Sequence, residues 1–196
     1  MSDVNLIELL TDILKNRTVL SEFKSHSEIY SEFGLNSSVS FAECLDNHFD
    51  SKDLKLIKIL RTAMKNGGAR DKASAKKLLS IESINLEFIK TLEDILLYKG
   101  STTKRPEYSA KTNSFASKAV LSKFLNSSIE QLNKLAERIE VFRQTRISYE
   151  TSEKICALYD FSRIFLSHYT NEKLLRGWLD FDDLILKTQN LLTDPT

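Results

Sequence analysis

Three sets of side chains in this sequence have types and spacings that suit chemistry. Cys44 and His48 stand four residues apart, which a helix would place on one face. Thiolate and imidazole both bind zinc, but a structural site takes four ligands, and no C-x-x-C or second His pair accompanies these two. His26 and His168 are isolated, so no metal site is assigned, and nothing pairs either Cys with a His as nucleophile and base. The second set is Asp180, Asp182 and Asp183. Three carboxylates suit a hard cation, yet a helix start explains two of them without one. Asp180 is a good N-cap, and Asp183 falls three residues on, where a carboxylate suits the positive end of the helix dipole. The third set is basic. From Lys99 to Lys123 there are six Lys and Arg against one acid, Glu107, in a chain of net charge +1. Lys104, Arg105, Lys111 and Lys118, interleaved with Ser, Thr and Tyr108, are the candidate phosphate-contacting positions, because cations and hydroxyls both serve phosphate oxygens. The plainer reading of the same residues is a solvated basic loop.

No catalytic constellation can be assembled. A nucleotide-binding phosphate loop needs G-x-x-x-x-G-K-[ST], and Gly67-Gly68 and Gly177 lack the lysine spacing. Neither ATP binding nor hydrolysis is expected of these residues, and no catalytic or cofactor-binding position is assigned.

The elements that must hold these residues read as helices. Val4, Leu6, Ile7, Leu10 and Leu14 predict a helix over 3–16, and Val19 to Phe33 a second over 18–33, stopped by Gly34. Ser40 caps a short helix over 41–49. Leu56, Ile57, Leu60 and Met64 mark a clear helix over 52–65, Asp71 opens another over 72–80, and Ile84 to Leu96 a further one over 83–98. Residues 99–113, with Gly100 and Pro106, break the rhythm as a loop. Two long helices are expected after it, packed antiparallel. One is capped by Ser128 with Leu132, Leu135, Ala136, Ile139 and Phe142 in its seam, and the other runs over 150–175. Gly177 ends the second and leads to the helix capped by Asp180. Leu179 and Leu184 flank that cap as a hydrophobic staple, and Phe181, Leu184, Ile185 and Leu191 or Leu192 form its apolar face. Trp178 is expected in the core, the alternative being a ring stacked on a base.

Composition agrees with an all-α fold: five Gly and two Pro in 196 residues leave few strand punctuators, and 41% hydrophobic content can bury a sizeable core. Net charge +1 gives no global attraction for nucleic acid, so any such contact rests on local patches. Two Cys are too few for a disulfide framework. No apolar run approaches a membrane span, the first residues lack a signal-peptide pattern, and a cytoplasmic location is expected.

The string Leu179-Asp180-Phe181-Asp182-Asp183-Leu184-Ile185, preceded by Gly177-Trp178 and followed by Leu191-Leu192, resembles the segment leading into the ATPase motif of UvrD-like superfamily 1 DNA helicases, of the AddA type. Leu60-x-x-Ala63-x-x-x-Gly67-Gly68-x-x-Asp71-x-x-x-Ala75 adds to the likeness, which is best from about residue 128 onward, fair over 54–110 and faint before that. In that family a strand bearing Asp-Glu-x-Gln-Asp follows the helix, and no such motif lies in these residues. The resemblance therefore implies a piece of a larger motor. Residues 1–176 would be the helical 1B insertion beside the DNA channel, and 177–196 the helix leading toward the ATPase core. It further implies a parent using ATP and Mg, single-stranded or forked DNA as ligand, and docking against the rest of the helicase chain or an AddB-like subunit. The other reading is a helical protein-interaction module.

Overall fold

The computed structural model describes residues 3–193 apart from Phe23 and Lys104, and is all-α. Among these described residues ten helices follow in order: α1 Asp3–Lys15, α2 Arg17–Ser21, α3 His26–Glu32, α4 Phe41–His48, α5 Ser51–Lys65, α6 Ala69–Lys77, α7 Leu86–Leu96, α8 Lys118–Leu121, α9 Asn126–Arg176 and α10 Phe181–Thr193. A 3₁₀ turn, Leu78–Ser80, follows α6. Among the described residues no strand forms, only two isolated bridges in the loop after α7. None of these helices is long and apolar enough to cross a membrane.

The chain divides into two compact units. Unit 2, Tyr30–Thr151, holds almost all of the buried apolar residues. Its core is laid down by the seams legible in the sequence: Ile57, Leu60 and Met64 of α5, Phe88, Ile89, Leu92 and Leu96 of α7, and Leu132, Leu135, Ala136, Ile139 and Phe142 of α9. Phe49 meets Phe142 edge to face with ring centroids 5.1 Å apart, an arrangement that aromatic quadrupoles favour. Local chemistry sets the helix starts. Ser40 and Glu43 exchange a capping box at α4, Asp50 and Asp53 another at α5, and Asn85 accepts from Phe88 N at 2.9 Å at α7. A buried ion pair stitches α7 to α9: Arg146 Nε and Nη2 donate to the two oxygens of Glu93 at 2.6 and 2.8 Å.

Two expectations are corrected. The helix over 18–33 is two, α2 and α3, because Ser25 and Glu28 form a capping box of their own: Ser25 N donates to Glu28 Oε2 at 2.7 Å and Glu28 N to Ser25 Oγ at 3.3 Å. The two long antiparallel helices are one continuous helix, α9. Residues 143–149 contain neither Gly nor Pro, Arg146 reaches Glu150 one turn on at 2.8 Å, and the backbone has no reason to turn there.

Unit 1 comprises Met1–Ile29 and Ser152–Thr196. Among the described residues, the buried apolar ones in unit 1 are Ile13, Ile29 and Cys156, and the side chains of Ser152 and Ser162 are also fully buried. In contrast, fifteen of the nineteen exposed large hydrophobic side chains among the described residues lie in unit 1.

Candidate functional site

The end of α9 builds an anchor for the residues of the Leu179–Ile185 string. Gly177, at φ +65°, takes the left-handed turn that a Cβ disfavours, and the helix closes as a Schellman motif. Trp178 N donates to Lys173 O at 2.9 Å and Gly177 N to Leu174 O at 3.3 Å. The reversal brings Asp180 back over the last turns of α9.

Asp180 then does two jobs. As N-cap of α10, its Oδ1 accepts from Asp183 N at 2.9 Å, while Asp183 Oδ2 accepts from Asp180 N at 3.0 Å, so the expected cap is what forms. The same carboxylate receives Arg17 of α2 in a fork, at 2.7 and 2.9 Å, Lys173 Nζ at 2.7 Å and the Tyr169 hydroxyl at 3.3 Å. Asp183 is ion-paired to Lys173, and its Oδ1 lies 3.5 Å from Arg17. The Arg17 guanidinium, ahead of Lys173, holds the Asp180 carboxyl far below the usual carboxylate range, against a smaller opposing effect of burial. Lys173, hydrogen-bonded to Asp183, lowers that carboxyl as well. The Lys173 ammonium is raised in turn: burial opposes its charge, and the two carboxylates outweigh burial.

Two cations therefore balance Asp180 and Asp183, whose oxygens are occupied by protein donors. Beside them lies a groove of about 470 Å³ bordered by Tyr169, Leu174, Trp178 and Leu179. Arg17 and Lys173 carry no motif in the sequence. Their only signal there is an Arg and a Lys on elements able to approach a capping acid. Trp178 is not core but 60% exposed, with the Arg176 guanidinium 4.8 Å from its ring, because the Schellman turn directs it away from the helix seam. The staple pair Leu179 and Leu184 stays about half exposed, at 53% and 49%.

The basic loop is more ordered than a solvated loop, and it uses up several of its own charges. Tyr98 N donates to Ser109 O at 3.0 Å, Tyr108 N to Tyr98 O at 2.7 Å and Lys111 N to Leu96 O at 2.8 Å, pinning both sides together. Lys104 lies outside the described residues. Arg105 is half-buried with its guanidinium 3.3 Å from the Tyr98 ring centroid. Lys111 is buried, its ammonium donating to Ile95 O at 2.7 Å, and burial pulls its pKa down. It faces the interior and is withdrawn from the phosphate-contacting set. Lys99 is paired with Asp94. Lys118, at the start of α8, is exposed. Of the three described positions, Lys111 is turned inward, Arg105 is half-buried against Tyr98, and Lys118 alone is fully at the surface.

Cys44 and His48 do share a face of α4, but the ring Nδ1 donates to the Cys44 carbonyl at 2.8 Å, and burial pushes the thiol pKa up. Both Cys are unpaired. Among the described residues no three His, Cys, Asp or Glu converge as metal ligands.

What fold and site define together is an all-α protein with one helical unit that encloses most of the buried apolar residues and one unit that leaves much of its apolar surface exposed. Comparison with protein-family models, curated proteins and solved structures gives no match.

Proposed function

We propose that this chain is a DNA-positioning helical domain of an ATP-dependent DNA helicase of the UvrD-like, AddA type, working in double-strand-break repair and holding single-stranded or forked DNA while motor domains elsewhere hydrolyse ATP. The resemblance in residues 179–185 suggests the family. The observation that carries the reading is the state of that same string in the fold. Its helix is capped and clamped by Arg17 and Lys173, yet Phe181, Leu184 and Ile185 are 75%, 49% and 50% exposed. A helix anchored at its start while its apolar face stays open fits a surface completed by neighbouring domains, since clustered exposed apolar side chains mark interaction sites. Lys118 and the rim of Arg105 supply cations for phosphate contact.

The test is fluorescence anisotropy with labelled single-stranded and forked DNA at two salt concentrations. Binding that weakens steeply with salt is expected. Absence of binding at low salt overturns DNA positioning. It would move the reading to the second one, a module docking a partner nuclease subunit or the motor domains, which the uncovered leucines Leu174, Leu175, Leu191 and Leu192 favour in their own right.

A further inference from the structure

The densest charge in the chain lies outside the loop. Residues 52–77 contain nine Lys and Arg against two acids, Asp53 and Asp71, in a protein whose overall net charge is +1. Both acids are turned inward. Asp53 is 7% exposed, accepting from Asp50 N at 3.1 Å and pairing with Arg138. Asp71 is 2% exposed, accepting from Gly68 N at 3.1 Å and Ser117 N at 3.0 Å. Each acid is spent as the third residue of a helix start, so the outer surface of α5 and α6 carries the cations alone.

These cations are arranged, not scattered. At about 100° per residue, Lys55, Lys58 and Lys65 fall within about 80° of one another on α5 and span about 15 Å of its axis. That length matches roughly four phosphates of one strand of a duplex at ~3.4 Å each. Lys65 then meets Lys72 and Lys76 of α6 around a shallow hollow of about 210 Å³, with Leu79 on its rim. All five lysines are exposed, and among the described residues no carboxylate pairs with any of them. The Ser117–Asp71 bond ties the start of α8, with its exposed Lys118, to the start of α6.

We infer that the outer face of α5 and α6, carrying Lys55, Lys58, Lys65, Lys72 and Lys76, binds the phosphodiester backbone of duplex DNA. This rests on the DNA-positioning reading and adds to it a surface and a strand state. Ammonium groups recognise phosphates as point charges without reading sequence. Residues 51–77 contain no Trp, Tyr or Phe, so the face has no stacking platform, which single-strand binders use, and a paired, backbone-presenting duplex fits it better.

The experiment is anisotropy of a labelled duplex and of its single strand against the whole chain, at about 50 and about 200 mM salt. A Lys58→Gln/Lys65→Gln/Lys72→Gln triple variant is run beside it. Helicity is checked by circular dichroism. With five contacts the slope of log K against log salt is about −4.5, and loss of three brings it to about −2, with at least tenfold weaker binding at low salt. The Lys→Arg version of the same triple keeps the charge and retains binding. If the chain binds duplex but the Gln variant binds equally well, the α5–α6 surface is overturned while DNA positioning stands. Weakening by Arg105→Gln/Lys118→Gln alone would likewise overturn that surface and place the contact on the loop. If the chain binds single strand in preference to duplex, the strand-state inference falls. If anionic phospholipid vesicles bind and no DNA does, both the inference and the reading beneath it fall.

Discussion

Replacing Asp180 separates the two roles the structure gives it. Asn caps a helix as well as Asp does, so Asp180→Asn keeps the bond to Asp183 N and removes only the charge that Arg17 and Lys173 engage. Asp180→Ala removes both. Loss of the cap costs about 1 kcal/mol. The forked, charge-assisted pair with Arg17 is worth more in a dry site, but Asp180 is 35% exposed, so solvent screening reduces its share to about 1 kcal/mol. The expectation is about 1 kcal/mol lost in Asp180→Asn and about 2 in Asp180→Ala. Trp178, the single Trp, lies in unit 1 and reports locally in a urea titration read by fluorescence. With a slope of about 2 kcal/mol per molar, the midpoint moves by about 0.5 M for Asn and about 1 M for Ala. The pH dependence has a fixed sign. Carboxyls whose pKa is lowered by folding add stability above their ordinary value of about 4 and lose it as pH falls through the folded value. Lys173, raised by folding, adds stability below its ordinary value of about 10.4 and loses it above the folded one. The gap between wild type and Asp180→Asn is therefore full at pH 7 and closes below about pH 4. Equal shifts for Asn and Ala would refute the capping share, and an unmoved Trp178 transition in both would refute the anchor.

Three further outcomes follow from unit 2. Glu93→Ala leaves Arg146 charged and buried without its forked partner and costs about 3–5 kcal/mol in chemical denaturation, whereas Glu93→Leu/Arg146→Met recovers most of it; an equally unstable double variant would refute the reasoning. Gly67→Ala puts a Cβ 2.6 Å from Asp71 Cβ, displacing the start of α6, and costs about 1–3 kcal/mol; unchanged stability would show that α6 shifts freely. Lys111→Met removes a buried ammonium together with its bond to Ile95 O, effects that offset to within about 1 kcal/mol, and it leaves DNA affinity and salt slope unchanged in the anisotropy assay. A flattened slope in Lys111→Met would return that residue to the contact set.

The helices of unit 2 are legible because their apolar seams have the helical period and their starts carry Ser, Asp or Asn, at α4 and α5 with an acid three residues on. The same rule finds Asp180 and Asp183. It holds equally for Ser25 and Glu28, but the apolar positions from Val19 to Phe33 run on across that cap and suggest one helix where two exist. Continuity through 143–149 is hidden for a different reason. The apolar seam pauses there at Arg146 and Ser148, both buried, and an Arg reads as surface until its partner Glu93 is seen across the interface. Trp178 escapes a periodicity argument because periodicity carries no account of a turn, and the turn at Gly177 decides where that ring points.

The lysines show where counting charge along a sequence succeeds and fails. In the loop, Lys111 and Lys99 contribute to the count but are already engaged, Lys111 buried on a carbonyl and the exposed Lys99 paired with Asp94. On α5 and α6 the count is higher and most of it stays at the surface, because the only two acids in 52–77 stand at N3 of their helices, where capping fixes them inward. The sequence rule for helix starts and the rule for charge clusters thus act on each other. A capping acid should be struck from the surface tally before the net charge of a segment is taken. Treated so, residues 52–77 rise from an excess of seven to nine cations facing outward or sideways, of which Arg61 is drawn to Leu78 O and Lys77 to Asp94. The cations that remain on α5 and α6 form the stripe that a phosphate backbone would find first.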